Sequence, residues 1–245
     1  MILELLIPML LCTLLVAVLY SCVGHGGASG YIAVLALFSV APEVFKPTAL
    51  TLNLLVAGIA TFSFARAGHF SWRLFWPFAV TSIPFSFLGG YLTLPSHIYR
   101  PLVGMVLLLS ASRLLLQKDQ APGHTTPPAT ATAMVIGAAL GLLSGLTGVG
   151  GGIFLSPLLL LCRWGEPREV SAVAALFILV NSGAGLLGHL SGVQAIPTYA
   201  PLMAGTALLG GVIGSLLGSR HLRVPTIMRV LSLVLALAGF KLLLV

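Results

Sequence analysis

Gly24-His25-Gly26-Gly27-Ala28-Ser29-Gly30 breaks into hydrophobic sequence near the start of this chain, and 124 residues later Gly148-Val149-Gly150-Gly151-Gly152 breaks into it again. Each glycine lowers helix stability by about 1 kcal/mol relative to alanine. In lipid, an unpaired backbone group costs several kcal/mol more, so non-helical chain persists there only where it lines a cavity inside protein. Two such tracts at a fixed distance predict one site built twice.

The surrounding composition settles the class. Of the 245 residues, 58% are hydrophobic and 7% are charged, with a mean hydropathy of +1.09. That leaves too little polar surface to cover a soluble globule. The chain is read as an all-α polytopic membrane protein with the lipid bilayer as its solvent, long enough for roughly seven to ten spans of about 20 residues. The net charge of +7 does not predict nucleic-acid binding, because the twelve Lys and Arg stand singly between apolar segments and form no basic stripe with interleaved aromatics. The opening Met1-Ile2-Leu3-Glu4-Leu5 has no basic region and no small-residue cleavage site after it, so it is taken as a retained first helix. Cys12, Cys22 and Cys162 form no CxxC pair and are expected to be packing residues.

Shifting the chain on itself by 124 positions pairs Gly24, Gly26, Gly27, Gly68 and Gly90 with Gly148, Gly150, Gly151, Gly192 and Gly214, and Pro77 and Pro101 with Pro201 and Pro225. Those are seven coincidences where about two would arise by chance, so the chain is an internal duplication. Residues 1–117 form the first transmembrane repeat, 118–132 a cytoplasmic linker, and 133–245 the second repeat. Apolar segments are predicted at 3–22, 31–41, 47–64, 74–94 and 101–116, and again at 133–146, 153–162, 170–190, 195–218 and 225–243. The second segment of each series has about ten residues and reaches about 15 Å, half the hydrocarbon thickness.

A half-length helix after a glycine break either continues the preceding crossing or turns back. If it turns back, nine basic residues (Arg66, Arg73, Arg113, Lys118, Arg163, Arg168, Arg220, Arg223 and Arg229) share one side, and three (Lys46, Arg100 and Lys241) lie opposite. If it continues, the division is seven against five. The positive-inside rule favours the first arrangement, with both termini periplasmic and the linker cytoplasmic. Halves with an odd number of crossings, placed in tandem, are inverted. Inverted-topology repeats with broken or re-entrant helices are the sequence signature of secondary transporters with a midplane site. Helices starting at the glycine loops would aim their N-terminal dipoles there, which favours a small anionic substrate.

The run Gly141-Leu142-Leu143-Ser144-Gly145-Leu146-Thr147-Gly148-Val149-Gly150-Gly151-Gly152-Ile153-Phe154-Leu155-Ser156-Pro157 resembles the signature of the TauE/SafE sulfite exporter family, the TSUP permeases, with a degenerate copy at 21–35. The likeness extends over the whole chain. It implies a permease of the bacterial inner membrane that moves sulfite, thiosulfate or an organosulfonate. His25 and Ala28-Ser29 depart from the more uniformly glycine and apolar tract that the family pattern leads one to expect.

Candidate substrate-binding residues follow from the loops and from polar side chains inside apolar segments. Gly24, Gly26, Gly27, Gly148, Gly150, Gly151 and Gly152 would let backbone N–H groups approach a ligand without an intervening side chain; close helix packing is their plainer role. His25 could hydrogen-bond an anion or carry a proton. Asn53 and Asn181, with Thr48, Thr51 and Ser182 near them, place amides and hydroxyls where lipid would not tolerate them unpaired. Ser29, within the first glycine tract, is a further substrate-binding candidate, while Trp72, Trp76, Trp164 and Tyr99 fit an interfacial aromatic belt, and Glu4, Glu43, Asp119, Glu166 and Glu169 all fall at segment ends.

Gly27-Ala28-Ser29-Gly30 also resembles the nucleophile motif of rhomboid intramembrane proteases, with His69 or His189 as base. The second half has Ile153 in place of Ser29, and a dyad would leave the duplication unexplained, so no catalytic role is assigned. A passive anion channel could use the same loops. The pattern calls for no metal or cofactor, and lacks a P-loop. Assembly as a homo-oligomer is compatible with it.

Overall fold

The computed structural model describes residues 2–22, 27–41, 44–116, 125–192, 200–218 and 224–244. Every regular element among them is a helix. In chain order these are α1 (Ile2–Cys22), α2 (Ala28–Leu37), α3 (Phe45–Arg66), α4 (Trp72–Tyr91), α5 (Ser96–Leu116), α6 (Thr130–Thr147), α7 (Gly152–Leu161), α8 (Pro167–Ser191), α9 (Ala200–Gly218) and α10 (Val224–Leu244). Adding 124 to the bounds of α2, 28 and 37, returns 152 and 161, the bounds of α7.

Backbone detail repeats at the same distance. The Phe38, Ser39 and Val40 amides donate to the carbonyls of Val34, Ala36 and Leu35; those of Cys162, Arg163 and Trp164 donate to Leu158, Leu160 and Leu159. Both are helix endings of the Schellman type, in which the last carbonyls are satisfied by a residue in the left-handed region. Ser39 at φ 56° and Arg163 at φ 54° occupy that position. A side chain there costs about 1–2 kcal/mol. Arg163→Gly is therefore expected to raise the melting temperature in detergent by a few degrees; an unchanged or lower value would contradict the strain.

The first short helix starts three residues earlier than its segment at 31–41 predicts, and takes in Ala28, Ser29 and Gly30. Gly30 serves packing here. A methyl group on it would overlap Val16 and lie 2.6 Å from the Tyr20 ring, so α2 approaches α1 closely only without a side chain at that point.

Helices of the two halves interlock. α1 packs on α9 and α6 on α4, an exchange that the 124-residue shift maps onto itself; α3 packs on α8 and α5 on α10, each with its own equivalent. The α4–α6 contact is a small-residue stripe: Gly137, Gly141 and Gly145 sit on the main chain of Phe78, Ser82 and Ser86, each close enough that a Cβ would overlap a carbonyl oxygen. In α9, Gly210 and Gly214 meet Leu14, Ala17 and Val18 of α1 in the same way. Where α3 meets α8, Gly58 faces Leu179 and Gly183 faces Leu54, so the two run antiparallel.

Polarity is arranged for lipid. Leu11, Phe62, Leu109, Leu187 and Leu209 are at least 60% exposed, while Thr13, Thr48, Asn53, Ser82, Ser86, Ser144, Asn181 and Ser182 are buried. An apolar exterior over a largely apolar interior that also holds amides and hydroxyls is unlike the surface of a soluble domain. α3, α6 and α8 are each long and apolar enough to cross a bilayer.

The chain turns back at α7. The Thr126 amide, just before α6, donates to the Arg163 carbonyl, just after α7, at 3.0 Å. A continuing path would separate those ends by on the order of 40 Å at 1.5 Å per residue. At the end of α2, the Lys241 ammonium from α10 donates to the Leu37 carbonyl and to Ser39 Oγ, both at 2.8 Å. A cation at a helix C-terminus offsets its partial negative charge.

Candidate functional site

The second glycine loop is built from left-handed backbone. Gly148, Gly150 and Gly151 have φ of 81°, 83° and 75°, closing α6 and opening α7 within four residues. Gly151 and Gly152 lie against Phe177 and Ile178, at the middle of α8. The start of α7 is thus at mid-depth of the bundle, where its first N–H groups have no intrahelical acceptor.

Side chains from four helices meet this loop. Asn53 of α3 is fully buried; its Nδ2 donates to the Val149 carbonyl at 3.3 Å and to Ser182 Oγ of α8 at 3.4 Å. A Cβ on Gly150 would lie 2.6 Å from that amide nitrogen and 3.1 Å from Ser182 Oγ. Ser144 of α6 has its Cβ 3.4 Å from the Cβ position of Gly151, and its buried hydroxyl has no partner. On the other side Gly148 presses on the main chain of Lys46. Tyr99 Oη of α5 donates to the Thr147 carbonyl at 3.2 Å.

Asn181 of α8 is also buried, with Nδ2 donating to the Phe177 carbonyl at 2.8 Å, while its own carbonyl accepts from Ser86 Oγ at 2.7 Å. Its Oδ1, like that of Asn53, has no partner, and neither has the Thr48 hydroxyl. Thr51 is occupied within its own helix, donating to the Pro47 carbonyl at 2.8 Å.

Of the first loop, Gly24, His25 and Gly26 lie outside the described residues. Gly27 precedes the first turn of α2 beneath the Tyr31 ring, 2.6 Å from Oη to the Cβ position, and that buried hydroxyl has no partner. Ser29 is buried and shares a 2.8 Å hydrogen bond with Tyr20 Oη. The nucleophile–base contact of a Ser-His dyad is not formed: Ser29 is paired with tyrosine, His69 lies in the α3–α4 turn, and neither ring nitrogen of the buried His189 has a partner.

Four residues at these loops carry no signal that spacing reveals. Tyr20, Tyr31 and Ser144 pass for ordinary members of apolar helices, and Lys46 for a boundary charge. Tyr99 is buried and does not join the aromatic belt, because its hydroxyl is drawn inward to the end of α6. Trp72 is 65% exposed. The acids match expectation where described: Glu166 caps α8, its amide donating to Glu169 Oε2, and neither is buried. Among the described residues no three His, Cys, Asp or Glu side chains gather as a metal site.

Three comparisons bear on this arrangement. The family model described as "Sulfite exporter TauE/SafE" matches residues 9–242. A probable membrane transporter protein (y4hK) of Sinorhizobium fredii is 42% identical over 233 residues, covering 93% of this chain and 94% of its own. A second probable membrane transporter protein (MJ0441), of Methanocaldococcus jannaschii, is 26% identical over 136 residues, covering 54% of this chain and 51% of its own. No solved structure matches the chain. With a match running from the first helix to the last, the chain belongs to the sulfite exporter TauE/SafE family.

Proposed function

We propose that this protein is a permease for a small sulfur-containing oxyanion, such as sulfite, thiosulfate or an organosulfonate, bound between the starts of α2 and α7. The observation that carries this is a matched pair of helix starts. Each short helix opens at a glycine, and beside each glycine a buried hydroxyl stands without a partner, Tyr31 Oη at Gly27 and Ser144 Oγ at Gly151. Helix N-termini and free hydroxyls are donors, and donors are what an oxyanion needs. No carboxylate is buried among the described residues to oppose it.

The antiparallel crossing of α3 with α8, its own equivalent, supports an inverted arrangement of repeats 1–117 and 133–245 about linker 118–132. So do the Thr126–Arg163 and Lys241–Leu37 hydrogen bonds, which suit short helices that return to the face they left. The charge distribution then places the linker in the cytoplasm and both termini in the periplasm of a bacterial inner membrane.

Proteoliposomes holding the purified protein are expected to take up labelled sulfite, thiosulfate or sulfoacetate with saturation, and unlabelled substrate to compete. Uptake of none of the three, by protein shown to be folded, would refute the proposal.

A further inference from the structure

Lys46 is an ammonium buried in the bundle, 6% exposed, at the start of α3. Its Nζ donates to the carbonyls of Gly89 at 3.3 Å, Gly90 at 3.2 Å and Leu92 at 2.8 Å, which end α4. Among the described residues no carboxylate pairs with it. Withdrawing a charge from water is costly unless an opposite charge compensates it, and main-chain carbonyls do so only in part. The position is also asymmetric: 124 residues on stands Val170, so the second repeat has no counterpart.

Two further observations tie this charge to the substrate path. The main chain of Lys46 is the surface on which Gly148 rests, 2.9 Å from its Cβ position, so the cation and the glycine loop are built on the same residue. On the other side of the α4 ending is His189, 2% exposed, with neither Nδ1 nor Nε2 hydrogen-bonded. It follows Gly188, where a Cβ would overlap the Phe87 carbonyl oxygen and lie 2.9 Å from the Tyr91 amide nitrogen. A buried imidazole without partners beside a buried ammonium without a counter-ion is a site waiting for an acceptor-rich anion.

We infer that Lys46 is the counter-charge of the transported oxyanion: it rests on the α4 carbonyls when the path is empty and turns to the anion beside Gly148, with His189 donating a hydrogen bond to the same ligand. This deepens the permease proposal and rests on it. The competing role is that Lys46 only caps α4. Capping alone would alter melting temperature and the fraction of active protein, hence Vmax, and would leave KM untouched.

The test is sulfite uptake by proteoliposomes of wild type, Lys46→Arg, Lys46→Cys and His189→Leu, the Cys variant in a background with Cys12, Cys22 and Cys162 replaced by alanine. For Lys46→Cys the KM for sulfite is expected to rise about ten- to a hundredfold, the range for losing one hydrogen bond to a charged group. Alkylating that cysteine with 2-bromoethylamine, which rebuilds a lysine-like ammonium, is expected to restore KM; iodoacetamide is not. Lys46→Arg should stay within a fewfold of wild type. His189→Leu should raise KM severalfold without lowering the melting temperature, because no hydrogen bond is lost in the empty protein.

Should Lys46→Cys prove unstable, the aminoethylated and carbamidomethylated forms of the surviving folded fraction still give the comparison. An unchanged KM in Lys46→Cys, or equal rescue by both reagents, would overturn the inference while leaving the permease proposal standing. Absence of uptake of all three anions by the wild type would instead overturn that proposal.

Discussion

Gly141→Val is expected to leave almost no folded protein, even though it adds only three carbons to an apolar helix. Gly141 sits at the centre of the stripe Gly137, Gly141 and Gly145, and a Cβ there would overlap the Ser82 carbonyl and lie 2.5 Å from the Ser82 Cα. The obstacle is backbone and no rotamer change can move it. Making room means separating α4 from α6, which lifts Gly89 from Leu142 and Leu146 and loosens the seat of Gly90 on the Gly185 main chain in α8. Overpacking alone costs about 1–3 kcal/mol. Loss of several backbone contacts at once brings the total toward the roughly 5–15 kcal/mol that holds a typical protein together.

Size-exclusion chromatography after detergent extraction reads the outcome. Gly205→Ala is the control, since nothing lies within 4 Å of its Cβ position and alanine favours a helix by about 1 kcal/mol. A monodisperse peak of wild-type height for Gly141→Val would show that α4 and α6 are not in backbone contact.

Gly150→Ala is expected to abolish transport while leaving the protein folded. At φ 83° an alanine costs about 1–2 kcal/mol, which a folded bundle can absorb. The new methyl carbon would lie 2.6 Å from Asn53 Nδ2 and 3.1 Å from Ser182 Oγ, so the amide must withdraw and release the Val149 carbonyl. With that bond goes the orientation of the loop that opens α7. Sulfite uptake should fall at least tenfold with a melting temperature lowered by only a few degrees. Because the damage passes through Asn53, the double variant Asn53→Ala/Gly150→Ala should transport no worse than Asn53→Ala alone. Strictly additive losses would mean that the loop acts without Asn53.

How much of this was readable beforehand differs from one residue to the next. The duplication was legible because glycine and proline are punctuation with positional meaning, and α2 and α7 repeat at the distance those residues mark. The start of α2 was not, since Ala28-Ser29-Gly30 looks like loop until α1 is known to supply Val16 and Tyr20 against Gly30. Asn53 stood out as an amide in apolar sequence, and the structure brings it to Val149 and Ser182. Asn181, equally conspicuous, spends its Nδ2 on its own helix.

Lys46 escaped notice for a physical reason. A lysine at the edge of an apolar segment is ordinarily a boundary marker with its ammonium in water. Only folding carries the Gly89, Gly90 and Leu92 carbonyls, more than 40 residues away, onto that ammonium. Tyr99 is the same kind of case, drawn to the Thr147 carbonyl across 48 residues.

The exchange of α1 onto α9 and of α6 onto α4 has a bearing on how the chain is made. When the ribosome has released the first half, the faces of α1 and α4 that receive the glycines of α9 and α6 are uncovered, because those helices have yet to be translated. At about 5–20 residues per second that exposed interval lasts on the order of ten seconds. During it the nascent half must be shielded from pairing with itself or with a stranger's helix. Such a clasp closes only after both halves have entered the membrane, so the first half passes through an interval in which its receiving faces are open to other helices.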